Sequence, residues 1–442
     1  MHFPKQNKMK RLIFTAIIMT AGAFVAGAGE PWTLAQCVDY AVATNLTLKS
    51  SRLQVRDGEL SVTAAKDAFL PTVSGNASEG FNFGRGLTAY NTYADRNTSS
   101  FQWGVGLNLP LFQGLQNVRQ LKVARAQLSK YLLDCDAAKD DLTLNIISEY
   151  LQVLYNKELV NTARSQLNYS TYEVERQKAL IELGKVAEAD LYDIESQQAQ
   201  DRLQVISAEN DVRVALVNLA NLLQLPSADG FDVAPLNEDD PEIPGPDVIY
   251  SRALEHNSGV LSARQSIEVA KANVSLAKSG YMPKLSFSAS VGSSYYTLSG
   301  SDNDAFSTQM RNNFSTYLGF SLQVPIFDAF SSRNNVRRAR LQQESAALEL
   351  DRRESDLYKA IQLAYTQATG ARDKYLTSAV TLEKTRKSFD AVREKYSMGR
   401  TDSNDFETAK NNLFKVEVSR ITAHYEYLLR YRILRYYETN RL

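Results

Sequence analysis

The stretch FQWGVGLNLPLF, residues 101–112, decides the fold. Its apolar side chains alternate with small or polar ones as far as the proline, and a period of two is typical of a β-strand. Residues 285–292 and 314–324 alternate in the same way, and the stretch at about 72–84 does so more weakly. One apolar face and one polar face suit a membrane barrel around a water-filled lumen, although a strand of a soluble sandwich shares the pattern.

An internal repeat organises the rest of the chain around these strands. AKDAFLP at 65–71 matches AKSGYMP at 277–283, a shift of 212 residues. LPLF at 109–112 matches VPIF at 324–327, a shift of 215 residues that then holds to the end of the repeat. The sequence therefore predicts one unit that has been copied once. The predicted divisions are a first repeat at 29–224, a linker at 225–246 and a second repeat at 247–442.

Each repeat predicts the order helix, strand, strand, long helix, helix. The opening helices should begin at the N-caps Thr33 and Asp247. Apolar residues three or four apart through each long helix are typical of a coiled-coil-like seam, and a glycine, Gly184 or Gly399, ends that helix. The predicted strands are about 72–84, 98–110, 284–297 and 312–325. The predicted helices are about 33–68, 115–183 and 188–224 in the first repeat, and about 247–280, 330–397 and 402–438 in the second.

Prolines mark the predicted junctions between helices and membrane strands, because proline cannot continue a helix. The two shorter helices of a repeat together match its long helix in length, so we expect them to stack end to end beside it. The junction residues are Pro71, Pro110, Pro283 and Pro325.

The N-terminus predicts export, and the bulk composition excludes several classes of protein. Basic residues, an apolar stretch and a small-residue cleavage site make residues 1–28 a predicted signal peptide. The 50 basic and 50 acidic residues balance, which argues against a nucleic-acid-binding protein. No catalytic, nucleotide-binding or metal-binding motif stands out, so we expect neither an enzyme nor a cofactor. The thiols Cys37 and Cys135 could be free or joined, and the pattern does not decide between these states.

Four strands per chain cannot close a barrel, and open sheet edges do not survive in lipid. Two chains would supply eight strands and three would supply twelve. The pattern alone does not choose, although an interior patterned for water favours the wider barrel.

With its repeat, junction prolines and glycine turns, the chain resembles the TolC-like outer-membrane efflux protein family. The resemblance implies a mostly α-helical homotrimer with a twelve-strand β-barrel on a long periplasmic α-barrel. It also implies an outer-membrane location in a Gram-negative bacterium, with passive conduction of substrates in a tripartite efflux or type I secretion system. The implied partners are a periplasmic adaptor, an inner-membrane pump and outer-membrane lipid.

The resemblance further implies a closable periplasmic aperture where the long helices turn. Acidic side chains near a helix start could line this pore or stabilise the helix, and the sequence leaves both roles open. The chain has Thr401 where the best-known member of the family has a gating arginine, with Arg400 one place earlier. The implied aperture residues are Asp190, Asp193, Asp405, Tyr396 and Arg400. The turn residues implied to meet the adaptor are Gly184, Lys185, Val186, Gly399, Thr401, Asp402 and Ser403.

Two other readings compete with the export duct. A structural coiled-coil or adhesin-like surface protein would explain the helices but not the strand alternation. A periplasmic enzyme is disfavoured because a catalytic set is missing.

Overall fold

A computed structural model describes residues 30–87, 91–95, 97–236 and 243–440. The predicted signal peptide lies outside these residues, as does part of the predicted linker. The chain divides into two compact units, and each unit draws on both repeats. The first unit comprises Met1–Lys49, Ala138–Asn257 and Asp356–Leu442, and the second comprises Ser50–Ala137 and Ser258–Ser355. The compact units thus divide the chain differently from the sequence repeats.

The main helices and strands follow the predicted order in both repeats, with two short strands and one short helix added and with each opening helix divided in two. The helices are α1 (Leu34–Thr44), α2 (Leu46–Asp67), α3 (Gln116–Glu182), α4 (Ala189–Leu223), α5 (Pro246–His256), α6 (Ser258–Ala277), α7 (Phe306–Asn312), α8 (Ser331–Ser397) and α9 (Ser403–Thr439). The strands are β1 (Thr72–Asn82), β2 (Arg85–Leu87), β3 (Tyr93–Asp95), β4 (Thr98–Gln113), β5 (Lys284–Leu298) and β6 (Ser315–Gln323).

The second unit holds an antiparallel sheet of four strands in the order β1-β4-β5-β6. The register places the predicted apolar faces on one side, with Leu107 opposite Ala289 and Phe287 opposite Phe320. The rings of Phe287 and Phe320 lie 5.1 Å apart. The other side carries small polar pairs such as Asn108 with Ser288. The alternation predicted from sequence therefore produces one two-faced sheet.

Pro110 lies inside β4 and not at its end, which corrects the predicted strand boundary. The ladder between β4 and β5 shifts register between Pro110 and Phe112, and pairing resumes as far as Gln113. A proline lacks the N–H that a ladder needs, and a bulge accommodates that loss. Pro71 and Pro283 each stand one residue before a strand, and Pro325 lies two residues beyond β6.

Between β5 and β6, where no helix was predicted, the chain forms the short helix α7. The ring of Phe306 packs 5.0 Å from Tyr295 and 6.0 Å from Phe101. The Gln309 amide donates to the carbonyl of Tyr296 at 2.9 Å. These contacts to the sheet stabilise a helix that is too short to form on its own sequence.

Each opening helix is broken by an asparagine, where the sequence predicted one continuous helix. Asn45 ends α1, and its Oδ1 accepts from the N–H groups of Thr47 (2.9 Å) and Leu48 (3.2 Å) at the start of α2. Asn257 occupies the same place in the second repeat, between α5 and α6. Thr33 is the N-cap of α1 as predicted, with a full capping box.

The predicted N-cap Asp247 is wrong, because Gly245 caps α5 and Pro246 is its first residue. Proline has the φ angle of a helix and no N–H to leave unpaired, so it starts the helix two residues earlier.

No helix in the described ranges is both long and apolar enough to cross a membrane.

The two long helices α3 and α8 have 67 residues each. In the first unit their predicted seams are buried, with Ile146, Val153, Ile361 and Ala368 fully inaccessible. Where α3 begins in the second unit, Gly114 has a φ of +61°, and a Cβ there would lie 2.6 Å from that of Met282. Only glycine combines this backbone conformation with so close an approach.

The ends of the shorter helices meet in the first unit. The Thr44 hydroxyl donates to the carbonyl of Leu223, the last residue of α4, at 2.8 Å. In the second repeat, the His256 Nε2 lies 3.1 Å from the carbonyl oxygen of Tyr437 in α9. These end-to-end contacts agree with the stacking expected from the helix lengths.

Both cysteines carry free thiols. Cys37 is fully buried in α1, and burial raises the pKa of its thiol to about 12. It therefore acts as a small core residue.

Candidate functional site

The two glycine turns of the first unit have the same backbone geometry. Gly184 and Gly399 adopt left-handed φ angles of +66° and +69°. The residue after each glycine donates its N–H to the carbonyl five positions earlier, at 2.9 Å in both turns. This pattern is a Schellman motif, which ends a helix where glycine can take a positive φ. A glycine in the same place in each repeat therefore fixes where the long helices turn.

In the second turn, Asp402 caps the returning helix and Asp405 does not. Asp402 is the N-cap of α9, and its Oδ1 accepts from the N–H of Asp405 at 2.8 Å. The exposed Asp405 carboxylate accepts from the Thr401 hydroxyl at 2.6 Å. The capping role considered for Asp405 thus belongs mainly to Asp402, while the Asp405 carboxylate remains accessible.

The first turn is more open. Lys185 is exposed and Val186 is half-buried. Asp190 lies in the first turn of α4, but its side chain lies outside the described part of the structure. Asp193 and Arg400 are exposed, and neither forms an ion pair within the described residues. The family resemblance assigns these residues to one aperture. Within a single chain, no ion pair among the described side chains joins Asp193 to Arg400.

Tyr396 anchors an aromatic cluster at the second turn. Its ring stacks on Phe406 at 4.7 Å, with an interplanar angle of 17°. Phe406 in turn lies 5.7 Å from Phe389, and both phenylalanines are almost fully buried. The cluster fixes the end of α8 against the start of α9.

Arg176 and Glu173 of α3, which the sequence did not single out, complete this cluster. The Arg176 guanidinium lies 4.2 Å from the ring centroid of Tyr396 and donates to its carbonyl oxygen at 2.9 Å. It also contacts the Glu173 carboxylate at 3.3 Å. Burial, and then the negative charge of Glu173, raise the pKa of Tyr396 to about 12. The phenol therefore stays neutral, and α3 is bonded to α8 beside the turn.

A buried ion cluster lies about one helical turn further along α9. The Lys410 ammonium is 1% exposed and lies 2.6 Å from Glu407 Oε2 and 3.4 Å from Asp201 Oδ2 of α4. The Gln197 amide donates to the other Asp201 oxygen at 2.9 Å. Burial raises the pKa of the Glu407 carboxyl. The cluster joins α9 to α4, and breaking such a pair leaves an uncompensated buried charge.

A sequence signal for this cluster was present. Lys410 stands between Phe406 and Leu413 with helical spacing, in a stripe whose apolar members are buried. Asp201 falls between Ile194 and Ala208 in the corresponding stripe of α4. Two opposite charges in otherwise apolar seams indicate a buried pair.

An open groove of about 860 Å³ lies between α3 and α8 beside these clusters. Tyr172, Glu173, Arg176, Arg393 and Tyr396 are among its lining residues. It presents aromatic rings together with both signs of charge.

Comparison with known families gives one match that covers both repeats. Residues 38–224 and 249–436 each match the family described as outer membrane efflux protein. The two matched segments begin and end close to the predicted repeat boundaries.

Two similar relatives and one solved structure extend over most of the chain. Outer membrane efflux protein BepC of Brucella suis is 22% identical over 94% of this chain and 87% of its own length. Alkaline protease secretion protein AprF of Pseudomonas aeruginosa is 24% identical over 78% of this chain and 70% of its own. The Campylobacter jejuni CmeC outer membrane channel superposes with a TM-score of 0.75 at 17% identity, over 90% of this chain and 84% of that one. The fold of the chain is therefore that of an outer membrane channel.

Proposed function

Because this chain belongs to the outer membrane efflux protein family, we propose that three copies form one duct from the periplasm to the cell exterior. The chain is an outer-membrane channel protein of the efflux and secretion type that extends into the periplasm. The proposal concerns the trimeric assembly, the periplasmic aperture and the partner proteins.

The observation that carries the trimer is the pair of open edges on the four-stranded sheet. Within the part of the chain that the structure describes, β1 and β6 each pair with one neighbouring strand, so one edge of each has a row of backbone N–H and C=O groups without a strand partner. Leu318 and Phe320 on β6 are 68% and 72% exposed in the single chain. Open edges are not tolerated in lipid, so β1 of one copy would pair with β6 of the next. Three copies then give twelve strands.

The two faces of the sheet support this closure. The apolar face would contact lipid, while the polar face carries Ser, Asn, Thr, Gln and Gly and would surround water. Small uncharged side chains leave room for cargo and do not select by charge.

The aperture is proposed to lie at the two glycine turns. Three copies of the exposed Asp405 carboxylate would place a ring of negative charge at the narrow end, and Asp190 and Asp193 would add to it. Tyr396, held by Arg176, would keep the second hairpin against α3, and Arg400 stands exposed beside the turn.

The turns are also the proposed contact with a periplasmic adaptor, through which an inner-membrane pump would deliver cargo. In the first turn the contact residues are Gly184, Lys185 and Val186. In the second they are Gly399, Thr401, Asp402 and Ser403. One relative is named for efflux and another for protease secretion, so small molecules and proteins are both candidate cargo classes.

Disulfide cross-linking between copies tests the closure. In a background without Cys37 and Cys135, Ser74→Cys on β1 is combined with single cysteines along 315–323 of β6. We expect covalent trimers for part of the β6 series, because adjacent edges would bring one register into disulfide range. Ser288→Cys on the inner strand β5, paired with Ser74→Cys, is the control and should give none. A processed chain recovered as a periplasmic monomer without cross-links or conductance would refute the duct.

A further inference from the structure

A group of exposed basic side chains lies in the second unit, on the helix turns that adjoin the strand ends. All of them lie in the last turn of α2, the first three turns of α3 or α8, or the short 3₁₀ turn before β5. We call them the basic band: Lys66, Lys122, Arg125, Lys278, Arg333, Arg337, Arg338 and Arg340. Residues 116–126 and 331–341 contain no acidic side chain.

The position of Arg333 in the first turn of α8 works against the stability of that helix. The N-terminal end of a helix has a partial positive charge, where cations are unfavourable. Arg333, Arg337 and Arg340 are also spaced four and three residues apart on one helix, so they repel each other. None of these three forms an ion pair with another described residue. The positive charge of these three arginines therefore has no ion-pair partner among the described residues, which favours an external anion.

The position of the basic band points to that anion. Three strand ends lie together at the edge of the sheet that leads into the helices. They are Gln113 at the end of β4, Lys284 at the start of β5 and Gln323 at the end of β6. The first three turns of α8 rise about 16 Å from that level, a depth that includes a phospholipid headgroup layer. Arginine forms bidentate hydrogen bonds with phosphate. We propose that the basic band binds the phosphates of anionic phospholipids in the periplasmic leaflet of the outer membrane.

Anionic cargo inside the duct is the competing ligand, and the sheet argues against it. On β5 the polar face from Ser286 to Ser294 consists of serine and glycine, and β1 presents Ser74, Asn76 and Ser78 on the same face. A duct adapted to anionic cargo would be expected to continue its positive charge along this surface. The basic band lies instead beside the strand ends, at the proposed level of the lipid headgroups. The inference rests on the proposed membrane position of the sheet.

The test compares two triple variants of α8 with equal loss of charge. R337Q/R338Q/R340Q removes part of the basic band, whereas K359Q/R372Q/K384Q removes three exposed charges in the first unit. The purified full-length protein is incubated in detergent with equal amounts of phosphatidylglycerol and phosphatidylcholine, and bound lipid is quantified by mass spectrometry.

The wild type and the control variant should retain phosphatidylglycerol in preference to phosphatidylcholine. Each basic side chain near an anionic surface is worth about fivefold in binding, so the band variant should lose roughly tenfold or more of this preference. Raised salt should reduce the wild-type preference.

Equal retention of the two lipids by the wild type would overturn the inference, as would an equal loss in both variants. A band variant that keeps its lipid preference but loses anion permeability in planar bilayers would overturn it in favour of anionic cargo. Wild-type conductance in the same bilayers separates failure of this inference from failure of the duct itself.

Discussion

The guanidinium group of Arg176 lies 4.2 Å from the ring centroid of Tyr396 and donates a 2.9 Å hydrogen bond to the carbonyl oxygen of the same residue. One side chain of α3 thereby contacts both the ring and the backbone of the last turn of α8. Tyr396 stands three residues before Gly399, so the contact restrains the turn. If that turn forms part of a closed aperture, loss of the contact should favour opening.

Arg176→Ala is expected to open the duct. The change removes a cation–π contact and a charge-assisted hydrogen bond, about 1 to 3 kcal/mol together. Single-channel recordings should show a larger mean conductance, and cells should become more sensitive to large antibiotics. The control is Arg164→Ala on the same helix, whose partner Glu209 is at the exposed surface. Equal conductance in the wild type and both variants would show that Arg176 has only a structural role.

Lys410→Met should destabilise the helical hairpins strongly. Asp201 and Glu407 would lose their buried partner, and removing one member of a buried pair costs about 3 to 5 kcal/mol. Arg386→Ala, which breaks the exposed pair with Glu417, should cost about 1 kcal/mol or less. Denaturant unfolding measures both changes. The double variant K410M/D201N should recover part of the loss, and purely additive effects would show that the two side chains do not interact.

Glu407 should make stability depend on pH in a predictable direction. Burial raises the pKa of its carboxyl above the unfolded value, so the folded state binds the proton more tightly. Its contribution is fully present below the unfolded pKa of about 4.3 and is lost as pH rises through the higher folded pKa. Glu407→Gln resembles the protonated form and should remove this dependence.

The measurement is the thermal midpoint of both proteins between about pH 4 and pH 8. The difference between Glu407→Gln and the wild type should grow in favour of the variant as the pH rises. Glu417→Gln on the same helix is the control, since that half-buried carboxylate pairs with the exposed Arg386. A difference that stays constant with pH would contradict the assignment.

Variants of Asp402 and Asp405 should distinguish helix capping from pore lining. Asp402→Ala removes the N-cap of α9 and should cost about 1 kcal/mol of stability with little change in ion selectivity. Asp405→Ala should lower the permeability ratio of potassium to chloride roughly twofold or more, because three carboxylates leave the aperture. Reversal potentials in planar bilayers and thermal unfolding distinguish the two. Unchanged selectivity in Asp405→Ala would restrict that residue to its hydrogen bond with Thr401.

The fold was largely readable from the sequence because its signals are local. The alternation in FQWGVGLNLPLF predicts a strand with one apolar and one polar face, whatever its neighbours are. The register of β4 with β5 then follows, because the apolar faces of the two strands must match. Gly184 and Gly399 mark their turns because the left-handed conformation is a property of a single residue. The breaks at Asn45 and Asn257 were missed, because a single asparagine does not by itself interrupt a helical pattern; the Asn45 side chain caps the start of α2, and Asn257 is the C-cap of α5.

The sequence by itself determined the repeat, the strands, the long helices and the two turns, because periodicity and backbone preference act over a few residues. Only the tertiary structure decided which side chains hold the turns. Arg176 meets Tyr396 across 220 positions, and Lys410 meets Asp201 across 209. Contacts between residues so far apart in sequence depend on how the helices pack. Packing involves the whole core, so a local sequence pattern does not predict it.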